Sequence, residues 1–302
     1  MKHIWKERNW SPMLLKEKNK PFNSSKYLFE LKYDGIRALI FCNKKELKIQ
    51  SRNQQDITHL FPELQEIKKI VHTNTIFDGE IICMEKGKPS FSKIQTRLHV
   101  KNAKKIEQLS KEEPVTYMAF DLLYEQQDLT DTTLLNRKKI LNHYPDNDYF
   151  VKTQTIEEKG IQLFKSVQKL SLEGIVAKNK ESTYHINSRT DDFVKIKNTK
   201  RDEFYIGGFT TKKNGILSLA LGEYKDNHFY YVGKVSISPK VPKYHQIKKQ
   251  KQTKNYFVDF SGSLHFVKPV ITCHINYLER TKNNHLRHPV WQEMKESEEK
   301  NG

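Results

Sequence analysis

Seven apolar, β-rich runs punctuate the first two hundred residues, at 27–33, 37–42, 47–51, 75–84, 115–124, 174–178 and 193–197, and segments with helical spacing separate them. That mixture restricts this part of the chain to sheets carrying helices on their outer faces, an α+β arrangement. Pro62 followed by Leu64, Ile67 and Val71 predicts a helix with proline in its first turn. Phe91, Ile94 and Leu98 predict a second helix, and Ile161, Phe164, Val167 and Leu170 a third. From about Arg201 the texture changes to strand-like runs with glycine-containing breaks, at 205–210, 217–224, 229–235 and 264–279, which read as a small β-barrel. At 302 residues the chain exceeds what one hydrophobic core usually organises. The expected division is 1–199 for the α+β domain, 200–291 for the barrel and 292–302 for a charged tail.

Charge narrows the partners. Lysine and arginine number 53 against 36 acidic residues, a formal excess of +17 that attracts polyanions, nucleic acid first among them. Lys248, Lys249 and Lys251 lie in a stretch, 239–256, rich in lysine and free of acidic residues, and read as a phosphate-tracking, DNA-binding surface. Cys42, Cys83 and Cys273 are too widely spaced for a zinc site or a disulfide framework, which suggests a reducing setting. Charges run through residues 1–8, where a signal peptide would be apolar, and no 18-residue apolar run occurs, so a cytoplasmic protein without membrane association is expected.

Lys32 stands at the end of an apolar strand, before an Asp34-Gly35 turn and a further strand, which fixes an amine at a strand end. Lysine is a nucleophile only when deprotonated, and its reference pKa of about 10.4 falls through desolvation or neighbouring cations. Lys195 and Lys197 alternate with Val194 and Ile196 at the strand period, so two amines share one face and suit a polyphosphate. Glu80, in Asp78-Gly79-Glu80, and Glu173, before 174–178, border apolar strands. A pair of carboxylates there suits Mg2+ or Mn2+ bound together with ATP phosphates.

In this order and with these gaps the segments resemble the covalent nucleotidyltransferases, the superfamily of ATP-dependent DNA ligases and mRNA capping enzymes. Lys32-Tyr-Asp34-Gly35-Ile-Arg37 fits K-x-D-G-x-R, and it is followed by Ser51-Arg52-Asn53, Asp78-Gly79-Glu80, Ala119-Phe120-Asp121, Glu173-Gly174-Ile-Val-Ala-Lys178 and Lys195-Ile-Lys197. The similarity spans roughly 12–289 and is greatest to small bacterial and phage ligases and the ligase module of bacterial end-joining ligases. It implies an adenylation domain followed by an OB-fold β-barrel. It also implies that Lys32 accepts AMP, that Glu30 lies beside the adenine amino group, and that Arg37 and Glu80 lie near the ribose. Phe120 would stack on adenine, Arg52 would present the DNA 5′-phosphate, Lys195 and Lys197 would hold the α-phosphate, and Glu173, with Glu80, would bind metal. The pattern breaks after Leu286-Arg287-His288-Pro289, where relatives continue into R-x-D-K and this chain reads Val290-Trp-Gln-Glu-Met-Lys295; the open alternatives are that Lys295 acts alone, that Arg287 compensates, or that self-adenylylation is slower than sealing.

The expected activity is an ATP-dependent DNA ligase sealing 3′-OH/5′-phosphate nicks in double-stranded DNA through lysyl-AMP on Lys32, with a monomer as the expected state. The alternatives are an RNA ligase, a GTP-dependent capping-type guanylyltransferase, or a noncatalytic basic nucleic-acid-binding protein.

Overall fold

The structure, a computed structural model, describes residues 4–8 and 10–295, and the chain divides into two compact units, Met1–Asn198 and Thr199–Gly302. In the first unit the strands are β1 (Leu14–Glu17), β2 (Ser24–Leu31), β3 (Ile36–Cys42), β4 (Leu47–Ser51), β5 (Thr75–Glu85), β6 (Lys88–Pro89), β7 (Val115–Glu125), β8 (Gln127–Asp128), β9 (Phe150–Lys152), β10 (Ile156–Glu158), β11 (Gly174–Asn179) and β12 (Arg189–Lys197). Four helices join them: α1 (Phe91–His99), α2 (Ala103–Glu112), α3 (Leu134–Leu141) and α4 (Gly160–Leu170). One sheet has the order β1-β12-β11-β2-β10 and the other β4-β3-β5-β7-β8, with β6 on β5 and β9 on β7.

Alternation along the strands assigns each face. On β2, Leu28 joins Phe193 of β12 and Leu39, Phe41 and Ile76 of the second sheet in a core common to both sheets. Phe29 points the other way and packs with Ile175, Ala177 and Ile196 under Leu163, Phe164 and Val167 of α4. The outer face of the second sheet, Ala38, Ile40 and Phe77 among its residues, is covered by segment 57–71 and by Ile94 and Ile106 of α1 and α2.

Segment Pro62–Ile70 is a 3₁₀ helix rather than the expected α-helix. Phe61, Leu64, Ile67 and Ile70 recur every three residues, the repeat that aligns one face of a 3₁₀ helix, and all four pack into the core. α1 and α4 coincide with two expected helices, whereas α2 and α3 had no counterpart in the sequence reading.

The second unit holds β13 (Lys200–Thr211), β14 (Leu217–Lys225), β15 (His228–Ile237), a short helix α5 (Tyr244–Lys248), β16 (His265–Phe266), β17 (Thr272–Tyr277) and β18 (Val290–Met294). Its sheet has the order β15-β14-β13-β17-β18, with β16 on β13. Among the described residues no pairing joins β15 to β18, so the sheet is open where a closed barrel was expected. The outer edge of β15 finds its partners in loops instead: Val258 N donates to Phe229 O at 3.0 Å, and Leu286 N to Val232 O at 2.6 Å. The apolar run 264–279 is two short strands, and residues 292–294 belong to β18, paired with Cys273 and His274, rather than to a tail. Lys295 N donates to Thr272 O at 3.1 Å, and the remainder of the expected tail, residues 296–302, lies outside the described residues.

Candidate active site

The β2–β3 connection carries Lys32 from one sheet of the first unit to the other. Lys32 N donates to Gly174 O at 3.0 Å, which fixes the lysine beside the start of β11. Gly35 lies so close to β5 that an added Cβ would meet Ile81 O at 2.2 Å, so this crossing admits no side chain there. The strand after the Asp34-Gly35 turn therefore belongs to the opposite sheet, and the common interior of both sheets opens at the crossing.

Register places the polar residues at that opening. Glu30 pairs with Val176, Val176 with Lys195, and Lys195 with Glu17, a row across four strands whose side chains share the inner face. One step along, Lys178 lies between Leu28 and Phe193. From the other sheet, Arg37 sits opposite Glu80 and Leu39 opposite Asp78. The shared interior is thus apolar at one end and charged at the other.

The charged end is a set of ion pairs. Lys32 Nζ lies 2.7 Å from Glu173 Oε1. Arg37 donates through Nε to Asp78 Oδ1 at 3.1 Å and through Nη2 to Asp78 Oδ2 at 2.7 Å, and Tyr184 Oη donates to the same Oδ2 at 2.7 Å. Glu30, buried, holds Lys138 on one oxygen and Lys178 on the other, the latter at 2.8 Å. Lys178 Nζ sits 4.2 Å from the centroid of the Phe120 ring, a cation–π distance. Glu17 Oε2 faces Lys197 at 3.1 Å and Lys195 at 3.5 Å.

These surroundings move several ionisations. Burial pushes the Glu80 carboxyl up to about 8; Lys32 and Arg37 oppose the rise, while Glu173 and Asp78 add to it. Burial lowers the Lys178 ammonium, with Lys138 adding to the effect and Glu30 opposing it. Burial also lowers Lys195, helped by Lys197 and Lys32. Burial works against ionisation of Glu17, but Lys197 and Lys195 outweigh it and hold that carboxyl below its usual range.

Glu30, Lys32, Arg37, Glu80 and Phe120 line a cleft, open to solvent, whose apolar wall includes Val176 and Phe193. Lys195 and Glu173 act on its charged groups electrostatically. Arg52 is exposed on the turn after β4 and is not among the residues lining the cleft. Lys248, Lys249 and Lys251 are exposed in the second unit, on and just after α5, whose Tyr244 and Ile247 anchor it in the core. The two candidate substitutes for R-x-D-K are held by acids: Lys295 by Glu203 at 3.0 Å and Arg287 by Glu279 at 3.1 Å.

The sequence reading missed Lys138, Tyr184 and Glu17. Lys138 and Tyr184 were hidden because they come from α3 and a loop without strand periodicity. Glu17 could have been found as an acid on a short strand preceding the motif lysine.

Residues 12–197 match the model of the ATP dependent DNA ligase domain, and residues 212–298 that of the ATP dependent DNA ligase C terminal region. The chain belongs to the ATP-dependent DNA ligases. The ligase is 29% identical over 287 residues to the SPbeta prophage-derived DNA ligase-like protein LigB of Bacillus subtilis, covering 93% of this chain and 97% of LigB. It is 27% identical to the multifunctional non-homologous end joining protein LigD of Mycolicibacterium smegmatis, of which it spans 38% of the length. In fold it is similar to a mycobacterial DNA ligase D complexed with ATP and MES (TM-score 0.59, 24% identity, 96% of each chain). It is similar also to a Lig E DNA ligase described as binding DNA with a minimal scaffold (TM-score 0.65, 18% identity, 94% of this chain and 99% of that one). ATP and DNA are the substrates of the ligase, and the RNA ligase, capping and noncatalytic alternatives are not favoured. Among the described residues no helix is long and apolar enough to cross a membrane.

Proposed function

We propose that the ligase seals 3′-OH/5′-phosphate nicks in double-stranded DNA through AMP carried covalently on Lys32. The observation that carries this reading is the Lys32–Glu173 pair beside a cleft with an aromatic ring and buried cations. The Lys32 amine, once deprotonated, attacks the α-phosphate of ATP, forming a P–N bond as the P–O bond to pyrophosphate breaks. The AMP then moves to the DNA 5′-phosphate, and the DNA 3′-hydroxyl displaces it. Such chemistry depends mainly on positioning and charge stabilisation, which suits a site built from lysines and carboxylates.

In this reading Phe120 and Glu30 receive adenine, Arg37 and Glu80 face the ribose, and Lys195 and Lys197 take the α-phosphate once Glu17 gives way. Arg52 receives the DNA 5′-phosphate, and Lys248, Lys249 and Lys251 follow the DNA backbone. Among the described residues no three His, Cys, Asp or Glu side chains cluster as a metal cage. Glu80 and Glu173 nevertheless influence each other's charge, and two carboxylates completed by waters and phosphate oxygens are a donor set that Mg2+ accepts. When bound there, Mg2+ would neutralise phosphate charge. The match to the C-terminal region supports reading the second unit as an OB-type module. A monomer working in the cytoplasm completes the proposal. The test is intact mass after incubation with ATP and magnesium. One added AMP, lost on treatment with pyrophosphate and absent from Lys32→Ala, is expected; an unmodified wild-type chain would refute it.

A further inference from the structure

α3 sends two adjacent cations into the interior. Its buried positions are 134, 137, 138 and 141, the spacing of an inward helix stripe, and the middle two are Arg137 and Lys138. Arg137 is matched by Asp121, which accepts at 2.7 and 2.9 Å. Lys138 reaches Glu30 Oε1, while Lys178 holds Glu30 Oε2 at 2.8 Å. Glu30 and Lys178 already balance each other's charge, so neutrality does not call for a second buried ammonium, and removing one from water is costly.

What Lys138 adds is orientation. A carboxylate held at one oxygen can swing, because its terminal torsion has broad wells. Ion pairs at both oxygens restrict that swing, that of Lys138 with Oε1 acting through charge and without a hydrogen bond, and they keep Lys178 4.2 Å from the Phe120 ring centroid and 3.4 Å from Phe120 O. We propose that Lys138 is a positioning residue for the base-binding end of the cleft: by gripping Glu30 from behind, it keeps Lys178 over Phe120 and presents carboxylate, ammonium and ring to the purine as one preorganised surface. A neighbouring acceptor and donor complement the amino group and ring nitrogen on the pairing edge of adenine, whereas guanine offers a carbonyl and an N–H in their places. Lys138 therefore contributes to the preference for ATP over GTP. This inference rests on the reading that the cleft takes the nucleotide.

The test is the rate of protein labelling from ATP and from GTP, measured at limiting and saturating nucleotide. Lys138→Met should raise KM for ATP about tenfold, the scale of losing one charge-assisted contact, leave the saturating rate within about threefold, and narrow the preference for ATP. In a Glu30→Gln background the same change should move KM less than about twofold, because its route to the nucleotide is gone. Lys138→Arg, which keeps a cation beside Glu30, should stay within about threefold of wild type in KM. That variant decides the matter even if Lys138→Met does not fold: a KM loss in Lys138→Arg of about tenfold or more, in protein with a native melting curve, would overturn the proposal. So would equal effects of Lys138→Met with and without Glu30. A labelled wild type with unchanged KM in Lys138→Met would sink this inference alone; a wild type that takes no label would sink the Lys32 reading as well.

Discussion

Lys32 Nζ lies 2.7 Å from Glu173 Oε1, joining the residue just after β2 to the residue just before β11. The contact is made across neighbouring strands, since Ile175 pairs with Leu31. An amine engaged in this way has no free lone pair, so attack on a phosphate requires the pair to separate and a proton to leave. In the proposed mechanism, where Lys32 is the nucleophile, the first step of ligation and the charge on Glu173 are thereby coupled.

Lys32→Ala separates the chemistry into parts. The variant should take no AMP from ATP and should not seal an ordinary nick. It should still join a nick that already carries AMP on its 5′-phosphate, more slowly than wild type, because that step uses the DNA 3′-hydroxyl. Sealing of an ordinary nick by this variant, with ATP supplied, would exclude Lys32 as the nucleophile.

Glu173→Gln keeps the shape beside Lys32 and removes the charge. ATP binding should remain measurable, while single-turnover labelling of the protein slows by about two orders of magnitude or more. Unaltered labelling and sealing rates would take Glu173 out of the site.

Glu80 makes the stability of the first unit depend on pH. Its carboxyl is pushed from 4.5 to about 8 by burial, so between those values the folded chain holds a proton that the unfolded chain lacks. The folded state is then progressively penalised as pH rises through this window, carries the full penalty above about 8, and carries none below 4.5. Glu80→Gln imitates the protonated form. It should melt with wild type near pH 4.5 and above it, by at least about 2 °C, near pH 9. A gap between the two melting temperatures that is the same at both pH values would rule this out.

Asp78 is fully buried and accepts from both Arg37 and Tyr184. Asp78→Ala leaves the Arg37 guanidinium without its carboxylate and should destabilise the first unit by about 3–5 kcal/mol. Denaturant unfolding checks this, and a loss below about 1 kcal/mol would mean that water or another acid replaces Asp78.

DNA binding should weaken steeply with salt, with a log–log slope of about −0.9 per phosphate contacted. Neutralising Lys248, Lys249 and Lys251 together should flatten that slope. Retention of the wild-type slope by the triple variant would reduce this segment to a solvated face.

The sequence by itself determined the local periods and the order of the chemical groups. Apolar, β-rich runs marked the seven long strands of the first unit, and the lysines and carboxylates could be read in their motif order, because both depend only on neighbours along the chain. It misjudged 62–70, where a three-residue repeat of Phe61, Leu64, Ile67 and Ile70 produced a 3₁₀ helix, and it overlooked α3, whose inward stripe carries Arg137 and Lys138 in place of apolar residues. Those two cations are buried only because Asp121 and Glu30 wait on other elements. Partnership of this kind was decided by tertiary structure alone: that Glu173 meets Lys32, that Tyr184 and Arg37 share Asp78, that Glu17 spans Lys195 and Lys197, and that loops rather than β18 satisfy the edge of β15. A buried charge is tolerable only beside its counterion, and which residues become neighbours across two sheets is fixed by strand register and by the crossing at Gly35, neither of which is expressed in the spacing of residues along the chain.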